Sequence, residues 1–226
     1  ALCKNTTATQ NVAVGVYSSR DTTTGAKNTS LGYSSFRVNT TGACNVAIGN
    51  SALDANTTAS ENVAVGFESM LSNTTGSNNT AIGRCTLRAN TTAVRNTAVG
   101  AQALRDNTDG TLNTGIGVCA LMKNTTGAEN TALGKSALLC NTTGGSNVAI
   151  GQGTLVGLTT GTNNTVIGNN AGSDAVLNAT GSGSNNIAIG NNSSADANIK
   201  IDWTVTSDLR DKTNIEDVPY GLNFIN

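Results

Sequence analysis

Apolar and polar positions recur in this chain with a fixed step. Asn, a β-branched residue, a small residue, an aliphatic residue and Gly follow one another, and the same run returns every 17 residues. It opens at Asn11, Asn28, Asn45, Asn62, Asn79, Asn96, Asn113, Asn130, Asn147 and Asn164. It closes at Gly15, Gly32, Gly49, Gly66, Gly83, Gly100, Gly117, Gly134, Gly151 and Gly168. An eleventh copy, Asn186 to Gly190, arrives after 22 residues. A period this strict means one structural unit stacked on itself, so the fold must be read from that unit.

Counting from the Asn as position 0, strand geometry sends positions 1 and 3 to one face and positions 0, 2 and 4 to the other. Position 3 is always aliphatic (Val14, Leu31, Ile48 and onward) and position 1 is Val or Thr in the ten regular copies. Position 2 is Ala in most copies, with Ser30, Gly115 and Val166 the exceptions, and it leaves room for another backbone to approach. The invariant Gly predicts a corner with φ > 0. Position 8 is Phe36, Leu53, Met70, Leu87, Leu104, Leu121, Leu138 and Leu155, which predicts a second short strand. Asn-Thr-Thr-Gly or a variant then predicts the second turn, since Asn and Gly tolerate left-handed backbone.

The expected unit is strand, corner, strand, turn, and the fold class is an all-β parallel β-roll or β-solenoid with 17-residue coils. Two Gly/Asn turns in 17 residues leave no room for the helix pair of a helical solenoid. At about 4.8 Å per coil, ten coils give a rod of about 50 Å. One large side chain per strand makes a thin core, and a further apolar face is better buried against copies of itself, so a homo-oligomer around a shared axis is expected. Whether the aliphatic or the Ala column faces that axis is left open by the pattern. The domain reading is a repeat array over 1–171, an insertion loop, last repeat and neck strand over 172–206, and a distinct segment over 207–226. The insertion, around Gly172 to Asn185, reads as a loop or a local break in the rod.

Composition narrows the function classes. Aromatics at 3% and charged residues at 12% leave neither a large globular core nor a strongly charged surface. The net charge is −1 and basic residues do not cluster, which argues against nucleic acid or anionic membrane as a partner. No apolar run approaches the roughly 20 residues of a membrane span. The chain opens at Ala1 without Met or a signal-like stretch, as a fragment or processed product would. His is absent, removing the commonest general base and metal ligand. The cysteines, Cys3, Cys44, Cys85, Cys119 and Cys140, are odd in number and form no CxxC pair. Cys85 and Cys119 share a register two coils apart, about 10 Å, beyond disulfide reach, so free thiols are expected. No cofactor or metal is implied: the turns lack the acidic residues of calcium-binding β-rolls, and stacked Asn reads as a hydrogen-bonded ladder. Asn-x-Thr sequons such as Asn39, Asn56, Asn73, Asn90, Asn124 and Asn141 are explained by turn chemistry before glycosylation. The Thr pairs fall in turns and form no Thr-x-Thr strand ladder, against an ice-binding face.

The Asn-Val-Ala-Ile-Gly run (Asn45 to Gly49, Asn147 to Gly151) resembles the head repeat of trimeric autotransporter adhesins, whose heads are trimers of parallel β-rolls. The period here is longer, in the manner of viral and phage fibre repeats. From Ile199 to Val205 apolar and polar residues alternate, predicting a half-buried neck strand. Ser207 to Ile215 and Gly221 to Ile225 are similar to the opening of the self-cleaving intramolecular chaperone domain of endosialidase-type tailspikes. That resemblance implies a Ser-Lys dyad at Ser207 and Lys212, in which a Lys of depressed pKa takes the Ser proton. Asp211 stands where that family has an apolar residue, and a 20-residue remnant is too short to bury a Lys. The expectation for this chain is therefore a non-enzymatic one, with Ser207 and Lys212 inert and solvated.

The resemblance implies a homotrimer around a common axis that is a structural protein of a virus or phage, a shaft or host-attachment segment on the virion surface. Its expected partners are itself, other fibre or tail proteins, and a host-surface glycan or receptor. The alternative is a trimeric adhesin on a bacterial cell surface, binding host matrix or glycan. A self-processing peptidase is the third reading, and it requires the rest of the chaperone domain.

Overall fold

A computed structural model describes residues 1–172, 181–191 and 193. The chain divides into two compact units, Ala1–Ser193 and Ser194–Asn226, and the described residues all belong to the first. The expected neck strand and the Ser207/Lys212 pair lie outside the described residues.

The first unit is a parallel β-solenoid. Each coil contributes one strand of three residues, from β1 (Val12–Val14) to β10 (Thr165–Ile167) and β11 (Ile187–Ile189). The eleven strands form one parallel sheet in sequence order. Every residue pairs with its counterpart one coil away, as Val46 with Val63 and Ile48 with Val65. Three residues of β-branched and small side chains suit a pleat, and Gly ends it.

That Gly holds φ between +121° and +136° from Gly15 to Gly168. At Gly117 a Cβ would come within 2.6 Å of the Gly134 carbonyl carbon of the next coil. Left-handed backbone and close stacking therefore both exclude a side chain there.

The second strand expected at positions 7 and 8 does not form. Positions 6 and 8 both lie in the left-handed region, as at Ser34 (φ +52°) and Phe36 (φ +54°). Alternating handedness flips successive peptide planes, and the hydrogen bonds show the flip. Gly32 and Ser34 donate back to Val14 O and Val16 O of the preceding coil, at 2.9 Å each. Phe36 and Val38 donate forward, to Ala52 O and Asp54 O of the following coil. The arc is thus bonded between coils at every other residue without being a strand. Left-handed geometry costs a bulky L-residue about 1–2 kcal/mol. Burial of the position-8 side chain, about 2–3 kcal/mol for Leu or Met, offsets that cost.

The second turn also differs from expectation. Gly25, Gly42, Gly76, Gly110, Gly127 and Gly144 have ordinary backbone, and Ala59 and Ala93 occupy the same column. The left-handed residue of this turn is instead position 16, as at Lys27, Glu61, Arg95 and Glu129. The demand at the Gly column is for small size against the neighbouring coil's backbone.

The core lies between the Ala column of position 2 and the position-8 column. Ala47, Ala64, Ala81 and Ala98 face Leu53, Met70, Leu87 and Leu104 across it, all fully buried. Asn side chains line its two ends. The inserted copy does not break the sheet: Thr165 pairs with Ile187 and Ile167 with Ile189. Thr159 donates through N and Oγ1 to Gly181 O, as Thr142 does to Thr159 O. The extra residues are thus confined between Gly172 and Gly181, where the coil is back in register.

Candidate functional site: the outward aliphatic face

The repeat-defining residues form an interior scaffold. Asn28 to Asn164 at position 0 are buried, while Asn11 in the first coil is half-buried. Each accepts through Oδ1 the backbone N–H of its counterpart one coil on, as Asn45 does from Asn62 at 3.0 Å. Each Nδ2 crosses to the carbonyl that closes its own coil, as Asn62 to Gly76 O at 2.9 Å. Asn is required because one short side chain must accept from the next coil and donate across its own.

A second buried ladder was not read from the sequence, where its Asn residues were given to turn chemistry. Asn39, Asn56, Asn73, Asn90, Asn107, Asn124 and Asn141 stack at position 11. Asn90 Nδ2 donates to Asn73 Oδ1 at 2.7 Å and to Ala93 O at 3.1 Å. The signal was the 17-residue return of Asn itself, which a merely turn-forming place does not need. The ladder stops where the sequence changes. Thr22 precedes it and Leu158 follows it, and Thr22 Oγ1 and Asn141 Oδ1 are the two buried side-chain polar atoms without partners among the described residues. Burial also takes the Asn39 to Asn141 sequon amides out of reach of a glycosylating enzyme once the coil is folded.

What the coil turns outward is apolar. Val14, Leu31, Ile82, Ile116, Leu133 and Ile167 of position 3 are 38–54% exposed, and position 1 stands beside them on the same face. The columns run uninterrupted over the sheet. Exposed apolar side chains continue at both rims: Val16, Tyr33, Phe67 and Val118 at position 5, Leu112 at position 16. Tyr17 and Tyr33 meet edge to face at 5.8 Å, and Arg20 and Arg84 lie over Tyr17 and Phe67. Isolated exposed apolar residues are ordinary, but a contiguous stripe on every coil marks an interaction surface.

The charges follow a different rule. The arginines of position 9 are satisfied within the chain: Arg20 with Asp21, Arg37 with Asp54, Arg88 with Glu68, Arg105 with Asp106. Arg20, bonded to Asp21, brings that carboxyl down to about 2, with Lys4 adding to the effect. The five cysteines are free thiols. Among the described residues no group of three or more Cys, Asp or Glu is placed to hold a metal, and no helix is long and apolar enough to cross a membrane. No protein-family model, curated protein or solved structure matches the chain.

Proposed function

We propose that this chain is a structural segment of a homotrimeric viral or phage fibre, a shaft or host-attachment rod on the virion surface. The reading is carried by the outward aliphatic face. An aliphatic column at position 3, beside a Val and Thr column at position 1, faces solvent on coil after coil while the interior is already filled by Ala, Leu and Asn. The face is about 50 Å tall and up to about 20 Å wide between its rims, on the scale of a stable protein interface. Identical copies rotated about the rod axis bury such a stripe along its whole length, and closure leaves no stripe exposed.

The function follows mechanically. Backbone and Asn hydrogen bonds link every coil to the next, so the rod resists bending and proteolysis and holds an attachment tip away from the particle. Other fibre or tail proteins would meet it end to end, and the exposed Tyr17 ring of the first coil offers a stacking surface for a host glycan. The Ser207/Lys212 pair serves maturation only in a chain continuing through the chaperone domain, where Ser207→Ala would abolish cleavage. Sedimentation equilibrium and native mass measurement of residues 1–226 test the assembly: three chains per particle is the expected result, and a stable monomer overturns it. Peptide mapping of purified particles tests the location, with peptides expected in the fibre or tail fraction. Recovery from a bacterial outer-membrane fraction would favour the surface-adhesin reading.

A further inference from the structure

The two rims of the aliphatic face carry charges that form no ion pair among the described residues. Lys27 and Glu129 at position 16 and Lys135 at position 5 are exposed and belong to no ion pair among the described residues, unlike the arginines of position 9. Position 16 immediately precedes the Asn of a coil and position 5 immediately follows its Gly, so each coil level presents one residue at each rim. Rotation about the rod axis preserves height. In any ring of parallel copies, the position-16 rim of one copy therefore meets the position-5 rim of the next at the same level.

Three levels are complementary, while Glu61 stands level with Phe67, Asn78 with Arg84 and Arg95 with Ala101. Glu129 stands level with Lys135, a carboxylate opposite an ammonium. Leu112, 47% exposed, stands level with Val118, 48% exposed. Lys27 stands level with Tyr33, 52% exposed, a cation beside a ring face. No level sets two like charges against each other.

We propose that the rims pair between subunits at equal coil level, Glu129 with Lys135 of the partner subunit, Leu112 with Val118 of the partner subunit, and Lys27 with Tyr33 of the partner subunit. The occupant of the aliphatic face is thus a parallel second copy of this chain, and the rims supply orientation and register while the aliphatic columns supply adhesion. This rests on the assembly proposed above, and it adds which residues meet.

Two experiments separate the rim pairing from the assembly. In the first, Glu129→Lys and Lys135→Glu each set like charges together at every interface of the ring. Exposed pairs are individually weak, so three interfaces together predict a rise of roughly tenfold in the concentration at which the complex half-dissociates. The double variant restores the wild-type value. In the second, the native cysteines are replaced by Ser, with Ala at Cys85, and Leu112→Cys and Val118→Cys are introduced singly and together. A short bis-maleimide should link the double variant into covalent multimers on a denaturing gel and link neither single variant. Multimers from a single variant, or wild-type assembly with no link in the double and no charge-swap effect, would overturn the rim pairing and leave the assembly standing. A wild-type monomer would overturn both.

Discussion

At the residue scale, one amide does work that no isostere can share. Asn90 gives two donor bonds and its Oδ1 accepts from Asn107 at 3.1 Å, all inside the coil. Asn90→Ala leaves Asn73 Oδ1 without a donor and takes one bond each from Ala93 O, which keeps Asn79 Nδ2, and from Asn107 Nδ2, which keeps Gly110 O. The expected loss is about 3 kcal/mol by urea denaturation, against under about 0.5 kcal/mol for the exposed Thr126→Ala. The converse applies at the ladder's open end. Thr22→Asn would supply the acceptor that Asn39 lacks and remove a buried hydroxyl without a partner, for a gain of about 1 kcal/mol. Asp21 gives a pH signature. Its folded pKa of about 2 lies below the ordinary 3.8, so the unfolded chain takes up the proton first. The stabilisation is therefore complete above about pH 4 and is lost as pH falls towards 2. Thermal midpoints of wild type and Asp21→Asn should differ at pH 5 and converge near pH 2.

At the element scale, a strand three residues long is too short to be stable alone, and its stability is shared between neighbouring coils. Inside the coil, Leu104 is fully buried against the Ala column, and Leu104→Ala should cost about 2–5 kcal/mol. At the corner, Gly117→Ala meets both an unfavourable φ and the Gly134 backbone, and neither coil can shift without moving its own ladder. Gly127→Ala at position 14 also brings a Cβ against the Gly144 carbonyl oxygen, but at ordinary φ and in a column where Ala59 and Ala93 occur, so Gly117→Ala is expected to lower the thermal midpoint more. Calorimetry of the two variants checks this ranking.

At the scale of the whole molecule, the inside and outside of the coil are separable by mutation. Ile116→Asp and Leu133→Asp alter only outward side chains, 38% and 44% exposed. Far-UV circular dichroism at low concentration should remain that of the folded coil, while sedimentation should show loss of assembly. If both variants kept the wild-type mass, the aliphatic face would not be the interface. Nearest-neighbour coupling further implies that a core lesion in one coil weakens its neighbours most, which hydrogen exchange reads coil by coil.

The sequence by itself determined the coil length, the parallel stacking in exact repeat register and the corner at every Gly15-type position, because a 17-residue return of like residues stacks like on like. Tertiary structure decided what period alone leaves ambiguous. A strand has two faces, and alternation does not say which one turns inward; the limited width of the coil admits Ala beside Leu and sends Ile and Val out. The arc through Ser34 and Phe36 has strand-like residues but left-handed backbone, because its N–H groups must switch from the preceding coil to the following one. Asn39 and Asn28 look alike in sequence, one a turn residue and one a ladder, until stacking places both amides in the interior where every polar atom needs a partner. The rims, where the Asn-to-Gly run begins and ends, became visible only once the coil showed which residues share a level.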